Sequence, residues 1–202
     1  VYLSQSDEIS FASSLQKLDL SVNPCTLTTI ASPSSDFWNA LGYRFDDGYF
    51  YATTPDNANS SSGGTPGEVF RINASGAATS LGELLDTNNA RYFAGDVRSS
   101  ALPGGDGYYY VLNMDDANAS DNDVTQFFRI DVSGGTASLE DTVNITGITD
   151  VRLNDWAFNP KDGQLYGFEQ HRQRFIKVNP DSGAASFVGS AQPTLGTVHG
   201  AA

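Results

Sequence analysis

The sequence predicts an all-β fold assembled from about four repeats of four short antiparallel strands. Three observations predict it. A turn followed by an aromatic strand recurs along the chain, the next strands alternate apolar and polar residues, and no stretch over ten residues keeps a 3.6-residue apolar period. A helical turn around residues 36–40 is the one exception expected.

The first strand of each repeat follows a turn: Phe45-Asp46-Asp47-Gly48-Tyr49-Phe50-Tyr51, Gly105-Asp106-Gly107-Tyr108-Tyr109-Tyr110 and Pro160-Lys161-Asp162-Gly163-Gln164-Leu165-Tyr166. Glycine takes a positive φ without a Cβ clash and Asp tolerates one, so each Asp-Gly signals a hairpin. Val1-Tyr2-Leu3-Ser4 reads as a fourth copy that lacks the turn. Second strands follow at Leu15-Gln16-Lys17-Leu18-Asp19-Leu20, Glu68-Val69-Phe70-Arg71-Ile72-Asn73, Gln126-Phe127-Phe128-Arg129-Ile130-Asp131 and Arg174-Phe175-Ile176-Lys177-Val178-Asn179. Their alternation marks half-buried strands.

Third strands come after a Gly- or Pro-bearing turn, at Leu27-Thr28-Thr29-Ile30, Ala78-Thr79-Ser80-Leu81, Ala137-Ser138-Leu139 and Ala185-Ser186-Phe187-Val188. A fourth strand leads into the next turn: Asn39-Ala40-Leu41-Gly42-Tyr43, Gly95-Asp96-Val97, Asn154-Asp155-Trp156-Ala157-Phe158 and the shortened Val198-His199-Gly200-Ala201-Ala202. With Tyr2, Tyr51, Tyr110 and Tyr166 as phase markers the unit is roughly fifty residues, the length of a β-propeller blade. The chain therefore reads as one propeller-like domain over 1–202, with repeats near 1–44, 45–98, 99–158 and 159–202. Length variation falls in polar connections at 54–66, 84–92 and 113–124.

Of 202 residues, 24 are Asp or Glu and 11 are Lys or Arg, a formal charge of −13. Eleven cations cannot build a phosphate-binding face, which argues against nucleic acid as a partner. No apolar run approaches the ~18 residues that cross a bilayer, so no membrane span is expected. The start at Val1, with no charged and apolar leader, reads as a processed or excised segment. Four N-x-S/T sequons, at Asn59, Asn73, Asn118 and Asn144, are candidate glycosylation sites if the source cell glycosylates its secreted proteins.

The succession Asn-Ala-Leu-Gly-Tyr-Arg-x-Asp-Asp-Gly, Ala-Gly-Asp-Val, Asn-Asp-Trp-Ala-Phe-Asn-Pro-x-Asp-Gly-x-Leu-Tyr-Gly and Gly-Ala-Ala resembles an uncharacterised extracellular family of propeller-like domains. Its members occur in bacterial adhesin-like and large surface proteins and in secreted fungal proteins. The resemblance covers nearly the whole chain and implies an extracellular or cell-surface location, but transfers no catalytic residues. Members continue past such a Gly-Ala-Ala into another turn and strand, which implies a longer parent chain; the alternative is that the terminal strand closes a four-unit ring on the first copy. A longer parent would let the single cysteine, Cys25, pair upstream of Val1 in an oxidising compartment.

Three candidate sites stand out. In a propeller the strand leading into each blade lines the central channel, so Asn39, Asp96, Asp155 and His199 are expected to form a ring that holds a ligand or cation, or else to cap strand ends. The acidic stretch with Asp115, Asp116, Asp121 and Asp123 offers oxygen ligands to calcium, although it departs from the EF-hand pattern and reads first as a solvated loop. Most aromatic residues should pack between blades, with Trp38 and Tyr92, beside loops, the candidates for stacking on sugar rings.

Nucleophile elbows, phosphate loops and zinc helices are absent from the sequence, and the two histidines, His171 and His199, fall in different repeats. His171 reads as an exposed hairpin residue. The expected function is a non-enzymatic binding or adhesion module that recognises a glycan or surface protein through loops at one end of the ring. The first alternative is a structural subunit of an extracellular fibre or surface layer, since an unpaired edge strand invites a partner. The second is a channel-metal, lactonase-like hydrolase, which needs Asn39, Asp96 and Asp155 to converge.

Overall fold

A computed structural model describes residues 2–6, 13–31, 38–54, 67–84, 90–92, 94–115 and 124–192. The fold is all-β, with four antiparallel sheets that follow one another along the chain. The first holds β1 (Tyr2–Ser6), β2 (Ser13–Asp19) and β3 (Thr26–Thr29). The second orders β4 (Asn39–Arg44), β5 (Tyr49–Thr53), β6 (Glu68–Ile72) and β7 (Ala78–Glu83). In the third, β10 (Tyr109–Asp115) pairs with β11 (Val124–Asp131), which pairs with β12 (Ser138–Asn144). Its inner strand is split into β8 (Ala90–Arg91) and β9 (Gly95–Val97), both paired to β10. The fourth orders β13 (Leu153–Phe158), β14 (Leu165–Glu169), β15 (Arg174–Val178) and β16 (Ala185–Val188).

Sequence repeat and sheet are out of phase by one strand, because the strand that ends each repeat pairs with the first strand of the next: β4 with β5, β13 with β14. Asp-Gly turns close these hairpins; Gly48 and Gly163 both have positive φ. Across 36–40 the expectation of a helical turn fails where the structure describes it. Asn39 opens β4, and Ala40 holds a φ of 56°. The Asn39 side chain accepts the Ala40 N–H at 3.0 Å and Tyr109 donates to the Ala40 carbonyl at 2.5 Å, so tertiary partners fix this backbone in the strand.

The core lies between sheets. Leu15, Trp38, Phe50, Ala52, Phe70 and Ile72 fill the first junction; Tyr51, Val69, Tyr109, Val111, Phe128 and Ile130 the second; Tyr110, Phe127, Trp156, Phe158, Leu165 and Ile176 the third. Trp38 and Tyr92, expected as exposed sugar platforms, belong to this core. Trp38 is 3% exposed and packs against Phe70, while Tyr92 is fully buried against Phe128. The physical reason is that each flanks an inner strand, where two sheets converge, rather than an outer loop.

Antiparallel neighbours send successive connections to opposite ends of each sheet. One end carries tight turns such as 45–48, 73–77 and 179–184, each of the last kind closed by an Asn or Asp side chain. At the other end β5 stops beside the start of β6, and β10 beside the start of β11.

Candidate functional site

The inner strands β4, β9 and β13 meet side by side, and two glycines set how close they come. A Cβ on Gly42 would lie 2.8 Å from the Asp96 Cα, and one on Gly95 2.7 Å from the Ala40 carbonyl oxygen. Only a residue without a side chain fits either place.

On these strands Asn39, Asp96 and Asp155 share one local device. Each Oδ1 accepts the N–H of the following residue: Ala40 at 3.0 Å, Val97 at 2.8 Å and Trp156 at 2.8 Å. The expectation that they occupy equivalent positions in a ring is corrected by the strand register. Asp96 lies opposite Tyr110, as Gly42 lies opposite Tyr51 and Ala157 opposite Tyr166. Asn39 instead pairs with Thr53, and Asp155 falls in the irregularity between Leu153 and Trp156. The extra residues at those bulges shift Asn39 and Asp155 to another level of the inner surface. His199 lies outside the described residues.

Asp96 does more than cap its own strand. Its Oδ2 accepts the Phe158 N–H of the fourth sheet at 2.8 Å, and the Tyr43 backbone of the second sheet also bonds to it. One carboxyl thus ties three inner strands together. Burial pushes its pKa up to about 6, against the lowering effect of these N–H donors, and the nearby Asp155 charge raises it further. A carboxyl near pH 6 can exchange a proton, but its oxygens are turned to backbone donors. Among the described residues no three His, Cys, Asp or Glu side chains converge to hold a metal. Asp116, Asp121 and Asp123 lie outside the described residues, as does the Asp115 side chain, so the calcium set is not placed.

Of the sequons, Asn59 and Asn118 lie outside the described residues. Asn144 is exposed at the end of β12. Asn73 accepts the Ser75 N–H, the Ser75 hydroxyl and the Ala77 N–H, closing a turn that Asp19 with Ser21 and Asp131 with Ser133 close in the same way. Repeat turn chemistry accounts for the Asn and Ser of that sequon.

Two buried charges were not singled out by sequence. Arg98, 3% exposed, meets Asp181 at 2.7 Å and Asp106 at 3.7 Å across the third junction. Arg44 sits likewise at the end of β4, 3.3 Å from Asp47, so an Arg closing an inner strand before an Asp-Gly turn was the available signal. Glu169 is fully buried and accepts the N–H groups of Arg152, His171 and Arg172. His171 itself is exposed, as expected.

Residues 2–202 match the model of a repeat family of unknown function, DUF6923. The chain belongs to that family. No protein with a curated description matches it by sequence. Among solved structures it is similar to an auxiliary nutrient binding protein from Bacteroides thetaiotaomicron, with a TM-score of 0.54 at 12% identity over 98% of this chain and 41% of that one. Virginiamycin B lyase from Staphylococcus aureus gives 0.53 at 14% identity, over 96% of this chain and 56% of the lyase. A Bacteroides fragilis protein named as a proposed 6-phosphogluconolactonase gives 0.51 at 17% identity, over 93% and 50%. The chain spans about half the length of these structures. At such identities the likeness establishes a propeller-type fold, which supports many unrelated functions.

Proposed function

We propose that this chain is a non-enzymatic binding module that acts outside the cell or at its surface and recognises a glycan through the end of the sheets that receives the connections 54–67 and 116–123. The carrying observation is the state of the inner-strand carboxylates. Asp96 and Asp155 accept backbone N–H groups, and among the described residues no three His, Cys, Asp or Glu side chains converge, which supports a binding role carried by the long connections. The auxiliary nutrient binding proteins among the structural neighbours support a binding role.

A glycan array probed with and without calcium tests this, since Asp115, Asp116, Asp121 and Asp123 would take part in a calcium-assisted site. Binding should vanish when residues 55–66 or 116–123 are replaced by short Gly-Ser linkers and survive Asp96→Asn. A silent array, with binding to a cell-surface protein instead, would leave the module and remove its carbohydrate specificity. The hydrolase reading draws on the raised Asp96 carboxyl and on the lactonase- and lyase-named neighbours. Lactone hydrolysis abolished by Asp96→Asn with the fold intact would favour it.

A further inference from the structure

We propose that Arg152, His171 and Arg172 form a carboxylate-binding site on the fourth sheet, and that the glycan recognised at this end of the sheets is an acidic one that carries uronic-acid groups. This sugar class extends the glycan reading above and rests on it. Arg152, Arg172 and Arg174 are three of the 11 Lys and Arg in a chain of formal charge −13. They stand together where β14 stops beside the start of β15. Glu169 gathers them. Fully buried, it accepts the N–H of Arg152 at 3.3 Å and of His171 at 3.0 Å on one oxygen, and that of Arg172 at 2.7 Å on the other. Its charge is thereby held by backbone donors, while three basic side chains start from the same spot.

Other arginines in the described residues are taken up differently. Arg44 meets Asp47 at 3.3 Å and Arg98 meets Asp181 at 2.7 Å, whereas Arg71 and Arg129 lie over the rings of Tyr49 and Tyr108. At the end of the fourth sheet, among the described residues, no acid pairs with Arg152 or His171, and Arg172 stands 3.7 Å from Glu169 and 3.8 Å from Asp150. Asp150 and Glu169 together leave the three arginines net positive. Arg172 is also held in place: it donates to the Asp150 carbonyl at 3.0 Å, and its guanidinium lies 5.8 Å from the centre of the Phe187 ring, which Arg174 shares at 4.5 Å. Phe187 packs against the core between the third and fourth sheets, and Asp150 lies in the connection from β12 to β13, so the site belongs to a junction whose two sheets are both described. Asp150 and Gln173, beside it, each hold a φ of 51°, a conformation that surrounding contacts must maintain. A planar carboxylate matches a fixed guanidinium fork. The acidic remainder of the chain repels a dense polyanion, which favours a glycan with isolated carboxylates over nucleic acid.

A glycan array that holds uronic-acid oligosaccharides beside their methyl esters, followed by titration of the best acid and ester pair, tests the proposal. The acid should bind roughly tenfold more tightly than its ester, and the advantage should shrink as salt is added. Arg152→Gln and His171→Gln, whose side chains make no described ion pair, should each cut that advantage and leave both the ester's affinity and the unfolding midpoint unchanged. Arg172→Gln should cut it too, with some loss of stability as the bond to the Asp150 carbonyl goes. Equal binding of acid and ester, or variants that weaken both alike, overturns the carboxylate site while the glycan reading stands. An array on which no sugar binds overturns both.

Discussion

Tyr110 donates its hydroxyl to Asp106 at 2.6 Å, four residues back across the turn, and the same pair recurs as Tyr51 with Asp47 and Tyr166 with Asp162, both at 2.8 Å. In each copy the other carboxylate oxygen accepts the N–H two residues on, from Tyr108, Tyr49 or Gln164. The Asp of the Asp-Gly turn therefore shapes the hairpin and satisfies a tyrosine on the strand it starts. Burial, with Asp47 beside it, pushes the Tyr51 phenol up to about 12, and Tyr110 is raised further for the same reasons.

Tyr→Phe substitutions should rank by junction. Tyr51→Phe and Tyr110→Phe, under the next sheet, are expected to cost about 1 kcal/mol each. Tyr166→Phe, with no described sheet over it, should stay within about 0.5 kcal/mol. Urea denaturation of the three variants checks the order.

Arg98 joins Asp106 and Asp181 across the third junction while almost wholly buried. Arg98→Met should destabilise by roughly 2 kcal/mol, less than for a fully buried pair because Asp181 is 61% exposed at its side chain. A double-mutant cycle with Asp181→Ala should give a coupling that falls as salt is added.

Asp96 gives the chain a pH signature. Its folded pKa, about 6, is raised above the ordinary 3.8, so the folded state holds the proton more tightly than the unfolded one. That contribution is complete below about pH 4 and is lost as pH rises through 6. Unfolding free energy of wild type relative to Asp96→Asn should therefore fall across this window, by about 3 kcal/mol. A flat difference would mean that Asp96 titrates normally.

Two glycines separate close approach from backbone freedom. Gly42→Ala places a methyl 2.8 Å from the Asp96 Cα and should cost about 2 to 3 kcal/mol, because backbone must move. Gly82→Ala meets nothing within 4 Å, but its φ of 99° disfavours a side chain, and about 1 kcal/mol is expected. Thermal unfolding distinguishes the two.

The repeat was legible because each copy carries its own local chemistry. Asp-Gly before an aromatic strand and alternation around Arg71, Arg129 and Lys177 gave the strands and the four-unit count without any tertiary information. The candidate ring was less legible. Asn39, Asp96 and Asp155 look alike in sequence, yet bulges in β4 and β13 and the break in the inner strand before β9 put them out of register. Trp38 and Tyr92 misled because a position beside a loop in sequence is beside another sheet in space.

The sequence by itself determined the all-β class, the blade-length period, the turns and the apolar face of each strand, since these depend on backbone preference and residue spacing within one repeat. Tertiary structure alone decided which strand closes which sheet, that Asp96 links three sheets, and that Arg98 and Glu169 are buried. Those outcomes depend on contacts between repeats, where sheet-to-sheet packing and a one-residue bulge set burial and charge, and no local pattern encodes them.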